Sequence, residues 1–342
     1  MKKVLLLVVL SIMAFVTVAC SSEDASGNNE SSWPERPVTL SVFSSAGGGT
    51  DLGNRAIASA IEKNIDEKIK VVNQPGGSGG VAANFVMSQE HDGHTLLGMT
   101  EGIFPSAVLG AHPSTSKDWE YFLMGGTPAV ISVPKDSKFQ DMQQLLDYMK
   151  ENPGDINWAA SAVGAIWYVK STLLSDAAGI EYNFVPYQGS NPSILASLNG
   201  EVDVVLTGVG EQSEFLEAKE LRPLAMVELE SHDVPGYEDV PSILDYVPSM
   251  EEHLPVDQIV GFAVPSNVPD ETLTAIEEQF QKAMKSDIVK EYAANNYINV
   301  VGLSGEEAKE YVRKMESVFS WLLYDHGVTD KSPKEFGIEQ PE

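Results

Sequence analysis

Short apolar blocks and longer segments of helical periodicity alternate along most of this chain. Apolar runs at 38–43, 69–73 and 95–99 read as strands, while 51–64 and 80–89 space their apolar residues as helices do. Strands that alternate with helices predict a parallel sheet covered by helices. Asp92-Gly93 marks the turn into the third strand.

The pattern resumes at 129–133. A helix follows at 141–151, stopped by Asn152-Pro153-Gly154, then a strand at 156–160 and a helix at 165–178 with Gly179 as its C-cap. Segments 182–186, 193–198, 202–206, 211–218 and 222–227 repeat the strand–helix order and predict a second α/β unit. Residues 231–257 are rich in proline and acidic side chains. Beyond them come a strand at 259–264 and helices at 269–286, 288–295 and 304–323.

Two glycine-rich turns sit at strand-to-helix junctions: Ala46-Gly47-Gly48-Gly49-Thr50-Asp51 and Pro75-Gly76-Gly77-Ser78-Gly79-Gly80. Glycine lets the backbone approach a ligand closely. The free N–H groups that open a helix, at the positive end of its dipole, favour a carboxylate or phosphate. Two such turns together predict a bound anion. Thr50 and Asp51 also stand where an N-cap belongs, and Asp51 suits either holding the loop or meeting the ligand. The glycine spacing is not G-x-G-x-x-G and no acidic residue completes a dinucleotide fingerprint, which argues against a Rossmann enzyme.

The first residues, Met1-Lys2-Lys3 and an apolar run from Val4 to Ala19, read as an export signal over 1–19. Cys20 follows directly and is the chain's one cysteine, so an intrachain disulfide and a cysteine metal cluster are excluded. Thr17-Val18-Ala19-Cys20 is similar to a bacterial lipobox, which makes Cys20 the expected lipidation site and 20–32, with its Ser, Asn, Gly and acidic residues, a solvated tether. Hydrophobic residues make up 43% of the chain and no second long apolar stretch occurs, so a soluble globular body is expected. Asp and Glu number 50 against 22 Lys and Arg, a formal net charge of −28, and nucleic acid is a poor partner for that surface.

No catalytic constellation appears. The histidines at 91, 94, 112, 232, 253 and 326 lack metal-binding spacing, and no G-x-S-x-G elbow positions a nucleophile, so neither a metal, a cofactor nor an enzyme is expected. Glu101, after the third strand, reads first as a solvated loop carboxylate, although an acid near the cleft would suit a ligand bearing an amine. Trp158, Trp167 and Tyr168 read as core or rim aromatics.

Several motifs together resemble the tripartite tricarboxylate transporter solute receptors, the Bug family of extracytoplasmic binding proteins. They are Arg36-Pro37-Val38, Gly47-Gly48-Gly49-Thr50-Asp51 with Arg55, Val72-Asn73-Gln74-Pro75-Gly76-Gly77-Ser78-Gly79-Gly80 and Asp92-Gly93-His94-Thr95-Leu96-Leu97. Val185-Pro186-Tyr187-Gln188-Gly189, Leu198-Asn199-Gly200-Glu201-Val202-Asp203 and Leu221-Arg222-Pro223-Leu224-Ala225 complete the set. Gln74 stands where the family usually has arginine and His94 where tyrosine is usual. The family's Ser-x-Gly-x-Gly aligns with Ala160-Ser161-Ala162-Val163-Gly164.

The resemblance implies an α/β, two-domain periplasmic-binding-protein fold of type II with a hinge and an interdomain cleft, and no catalysis. Domain 1 is expected at 33–131 plus 259–342 and domain 2 at 132–258, with 129–133 and 259–264 as crossing strands. The expected ligand is a small carboxylate: a tricarboxylate, dicarboxylate, aromatic acid or amino acid. Its site is expected at Ala46, Gly47, Gly48, Gly49, Thr50, Asp51, Gly76, Gly77, Ser78 and Gly79 of domain 1. In domain 2 the expected site residues are Ser161, Gly164, Tyr187, Asp203 and Thr207. The implied partners of this monomer are the large and small membrane subunits of the transporter, reached through a lipid anchor outside the cytoplasm. A ligand-sensing module that feeds a membrane sensor kinase is the alternative, and it needs the same closing receptor.

Overall fold

The computed structural model describes residues 33–187 and 189–341; the expected signal segment, Cys20 and the whole tether lie outside the described residues. β1 (Val38–Val42), α1 (Gly49–Ile61), β2 (Ile69–Asn73), α2 (Gly80–Met87) and β3 (Thr95–Thr100) follow the predicted alternation. β4 (Trp119–Gly126) comes next, unmarked in the sequence because every one of its positions is buried and no polar face breaks the run.

A second set comprises β5 (Ala129–Pro134), α3 (Met142–Glu151), β6 (Asn157–Ala159), α4 (Ile166–Ala178), β7 (Asn183–Val185), α5 (Ser190–Leu198), β8 (Val204–Gly208), α6 (Val209–Glu217) and β9 (Leu221–Met226). Local chemistry sets its helix ends. Asp141 caps α3 by accepting from Gln144 N, and Gly179 ends α4 in the left-handed conformation at φ 62°. The acidic, proline-rich stretch contains a small hairpin, β10 (His232–Val234) and β11 (Tyr237–Val240). The chain ends through β12 (Val260–Pro265), α7 (Asp270–Met284), α8 (Asp287–Asn295), β13 (Asn299–Leu303) and α9 (Gly305–Asp325).

Two larger sheets result. The first runs β13-β4-β12-β3-β1-β2 and the second β7-β6-β8-β5-β9. Neither is wholly parallel, as the alternation alone predicts. β1 pairs parallel with β2 and β3, but β12 runs antiparallel to β3 and β4, and β13 antiparallel to β4. In the second sheet β6 is parallel to β7 and β8, while β5 is antiparallel to β8 and β9. Parallel neighbours need a helical crossover, and the strands through which the chain changes sheets have none.

The changes of sheet are short. β5 lies wholly in the second sheet, with Ala129 opposite Gly208, and β12 wholly in the first, with Val260 opposite Thr100. The crossings are therefore the links 127–128 and 255–259 rather than strands spanning both sheets. Around them a continuous apolar core joins Met99 and Leu123 to Ala129, Ile131 and Leu206. The first lobe adds a second cluster in which Phe122 stacks on Phe262 at 4.7 Å and Phe280 meets both edge-on. Side chains of this size contribute about 1.5–3 kcal/mol each by burial, so both lobes hold their strand ends in fixed positions.

Candidate functional site

Both glycine turns lie at the carboxyl ends of parallel strands, where open α/β sheets bind ligands. The first joins β1 to α1, and residues 45–49 are exposed. Gly48 is the N-cap and offers no side chain, so the N–H groups of Gly49, Thr50 and Asp51 have no acceptor within the helix. The first return bond runs from Leu52 N to Gly48 O at 2.9 Å.

Asp51 holds this turn in shape. Its carboxylate accepts from Gly47 N at 2.8 Å and from Asn73 Nδ2 at 2.8 Å, with Arg55 Nε 3.0 Å away. The same Asn73 amide donates to Ser44 O at 3.0 Å, and Arg55 donates to Asn73 Oδ1 at 3.0 Å. These bonds tie the end of β2 to the β1–α1 turn. Burial pushes the Asp51 carboxyl up, but hydrogen bonds from Arg55, Gly47 N–H and Asn73 outweigh it and hold it below the usual value. Both oxygens are thus engaged by the protein, which makes Asp51 a positioning residue.

Asp51→Ala is expected to cost about 2 kcal/mol, the size of charge-assisted hydrogen bonds, in urea unfolding at pH 7. A carboxyl with a lowered native pKa stabilises above its unfolded pKa and ceases to do so as pH falls through the native value. The gap between variant and wild type should therefore close in acid.

The second turn is stranger in its backbone. Gly76, Gly77, Ser78 and Gly79 all have positive φ, at 125°, 55°, 47° and 87°, and only Ser78 carries a side chain through that region. Gly79 N turns back to Gly76 O at 3.2 Å, whereas the N–H groups of Gly77 and Ser78 find no acceptor among the described residues. Gln74 brings no charge to this turn; its Oε1 accepts from Ser41 at 3.0 Å. The two turns together present unpaired N–H groups, which favour an anion.

The five residues proposed in the second lobe lie in different surroundings. Ser161, after β6, is 6% exposed and its hydroxyl has no hydrogen-bond partner among the described residues. Gly164 has φ 86°, and a Cβ there would touch Leu323 and Leu109 of the first lobe, so this turn faces across to the other lobe. Thr207 is buried and accepts from Gln212 within its own lobe. Asp203 precedes β8, at the opposite end of that strand from its helix junction. There it accepts from Asn157 N at 2.9 Å and fastens β6 to β8. Tyr187 packs on the Ala159, Ala196 and Val202 cluster, with its hydroxyl 3.5 Å from Glu201.

Two glutamates near the crossings are notable beside them. Glu101 is not a solvated loop carboxylate: it is 4% exposed, and Oε2 accepts from Ile259 N at 3.0 Å, in the returning crossing. Burial, reinforced by the charge of Glu211, pushes it up to about 7 despite hydrogen bonds from Ile259 N–H and its own N–H. Glu211, in the first turn of α6, accepts from Gly208 N at 2.8 Å; burial raises its pKa, against the opposing pull of Gly208 N–H and of the Ser190, Trp167 and Gln258 side chains. Glu211 reaching back to the N–H of Gly208 is half of a capping box; glycine at the N-cap has no side chain to supply the other half.

Glu101 has a testable cost. Its native pKa lies above the unfolded value of 4.5, so the folded state holds the extra proton and stability falls as pH rises from that value toward 7. Glu101→Gln should match wild type near pH 5 and exceed it by on the order of 2 kcal/mol at pH 8, read from urea unfolding at both pH values.

Around the crossings lies a cavity of about 310 Å³, lined by Thr127, Glu228, Asp257, Gln258 and Tyr311 among others and by neither glycine turn. Lys170, 1% exposed and not itself part of the lining, donates to Val227 O at 2.8 Å and to the lining residue Glu228 at 2.7 Å. Glu228 also accepts from Ala129 N at 2.7 Å. Among the described residues no group of three His, Cys, Asp or Glu could hold a metal, and no helix is long and apolar enough to cross a membrane.

Two α/β lobes joined by short crossings, with anion-accepting turns at the strand ends, define a solute-binding receptor rather than an enzyme. The sequence profile of the tripartite tricarboxylate transporter family receptor matches residues 54–318, and the chain belongs to that family. It is 28% identical to a Pseudomonas sp. (strain P51) protein described as a UPF0065 protein in the tcbD-tcbE intergenic region, over 92% of this chain and 94% of that one. Among solved structures, R. palustris Rpa4515 with adipate superposes with a TM-score of 0.73 at 25% identity, covering 86% of this chain and 98% of that one. MatC from Rhodopseudomonas palustris with bound malate gives 0.69 at 22% identity, covering 85% and 99%, a likeness of fold.

Proposed function

We propose that this protein captures a small carboxylate in the cleft between its lobes and delivers it to the membrane subunits of a tripartite tricarboxylate-type transporter. The observation that carries the reading is the pair of adjacent turns whose N–H groups at Gly49, Thr50, Gly77 and Ser78 have no acceptor among the described residues. A carboxylate satisfies those donors without a cationic side chain, and the binding of adipate and malate by structural neighbours supports that ligand class. Closure follows from linkage: a ligand that touches both lobes favours the closed state by its extra contacts there.

The domains are read as 33–126 plus 260–341 and 129–254, close to the sequence expectation of 33–131 plus 259–342 and 132–258 and hinged at the two crossings. Ser161 and Gly164 are the second-lobe residues best placed to meet the ligand. The receptor works outside the cytoplasm as a monomer, held to the membrane through lipid on Cys20.

A thermal-shift series tests this reading on protein unfolded and refolded to strip any carried ligand. Succinate, malate, citrate, aspartate and benzoate are compared with their neutral amides. At least one acid should raise Tm by several degrees, since a ligand at roughly 100 times its Kd adds about 2.7 kcal/mol, and its amide should not. Amides that match the acids, or no shift with any probe, would refute carboxylate capture.

A further inference from the structure

We infer a second binding site in this protein, for a small alkylammonium, in the cavity where the chain crosses between its lobes. The ammonium sits between Glu228 and Asp257, and its alkyl chain lies against Leu229 and Val301. Neither glycine turn lines this cavity, so its ligand is distinct from the carboxylate cargo.

The cavity holds about 310 Å³, within the range of small-molecule sites. Both lobes build its walls. Glu228 and Leu229 follow β9 in the second lobe, Val301 and Tyr311 belong to β13 and α9 of the first, and Asp257 lies in the returning crossing.

Its charges do not balance. Lys170 donates to Glu228 at 2.7 Å, and Glu228 also accepts from Ala129 N at 2.7 Å. Asp257 faces that pair, yet it takes part in none of the ion pairs among the described residues. Burial pushes its carboxyl up and Glu228 adds to the push, while Lys170 and, more weakly, Lys314 on α9 pull it down. Glu230 and His232 are the other titratable groups of the lining beside the Tyr311 phenol. Burial pushes that phenol up, and the charges of Asp257, Glu101 and Glu228 reinforce it, so this wall stands in a negative field. Two half-buried carboxylates that share one ammonium are costly, and a second ammonium placed between them offsets that cost.

The rest of the lining selects the body of the ligand. Leu229 and Val301 are 47% and 49% exposed, one from each lobe, and both border the charged floor. A bare ion leaves them wet, whereas a short alkyl chain covers them. Among the described residues no group of three side chains suits a metal ion. Since the walls come from both lobes, a cation held there also biases the hinge.

The test is calorimetric titration of the refolded full chain, without any carboxylate, with n-butylammonium chloride and with 1-butanol at matched ionic strength. The ammonium should bind at least about tenfold tighter than the alcohol. Asp257→Asn, checked by its melting curve, should lose at least about tenfold in ammonium affinity. Amide NMR of wild type needs no variant: butylammonium should move the Leu229, Asn299 and Val301 resonances and leave Gly49, Thr50, Gly77 and Ser78 in place. Butylammonium that binds no tighter than butanol, or that leaves the three cavity amides unmoved, overturns the inference. Either result leaves carboxylate capture standing, because no arm of the test uses the glycine turns.

Discussion

Replacing Gly48 by valine is expected to weaken carboxylate binding at least about a hundredfold while shifting Tm by only a few degrees. Gly48 caps α1 in an extended conformation, φ −79° and ψ 166°, that valine adopts without strain, and a Cβ there meets only Ser45 O at 3.6 Å. The fold therefore tolerates the change. The bound anion does not, because the branched side chain fills the space over the N–H groups of Gly49 and Thr50. Each hydrogen bond to a charged group is worth about 1.5–3 kcal/mol, so losing two accounts for the factor. Titration calorimetry with the best acid, beside a melting curve, checks both halves.

The neighbouring glycines make poorer probes. At Gly79, φ 87° is joined by Ile103 Cδ1 only 2.5 Å from an added Cβ, and at Gly80 the backbone oxygen of Ala111 would stand 2.2 Å away. Substitution there disturbs the fold as well as the turn.

The largest loss of stability is expected from Lys170→Met, about 3–5 kcal/mol, the range seen when one partner of a buried ion pair is removed. Methionine fills most of the same volume, so packing is preserved and charge is the variable. Without the ammonium, Glu228 stays buried beside Asp257, whose carboxyl burial already pushes up against the pull of Lys170. Ala129 N and Val227 O are bonded within the same cluster, so β5 and β9 both lose support where the chain enters and leaves the second sheet. A fall in Tm of roughly 10 °C is expected. A variant as stable as wild type would show that the buried Lys170–Glu228 pair contributes little to stability.

The elements that position the site were legible because their signals are local. Strands of alternating or short apolar character, the stop at Asn152-Pro153-Gly154, the C-cap at Gly179 and both glycine turns appear within a residue or two of their observed places. β4 and β13 were not legible. β4 is buried on both faces, and β13 is a short edge strand whose Val300 and Val301 are exposed, so neither shows the alternation that marks a half-buried strand. The roles of Asp203, Tyr187 and Thr207 depend on which end of a strand or which face of a helix they occupy, and that is decided by topology. Glu101 shows the same limit in charge: its carboxylate is held by the N–H of Ile259, far along the chain, and no local pattern marks it.

Amide NMR of the labelled protein tests the central claim most directly, because it watches the proposed donors themselves. On saturation with a bound carboxylate, the amide protons of Gly49, Thr50, Gly77 and Ser78 should show the largest downfield shifts in the first lobe, as new hydrogen bonds to an anion require. Saturable binding that leaves those four resonances in place, and moves others instead, would contradict the account.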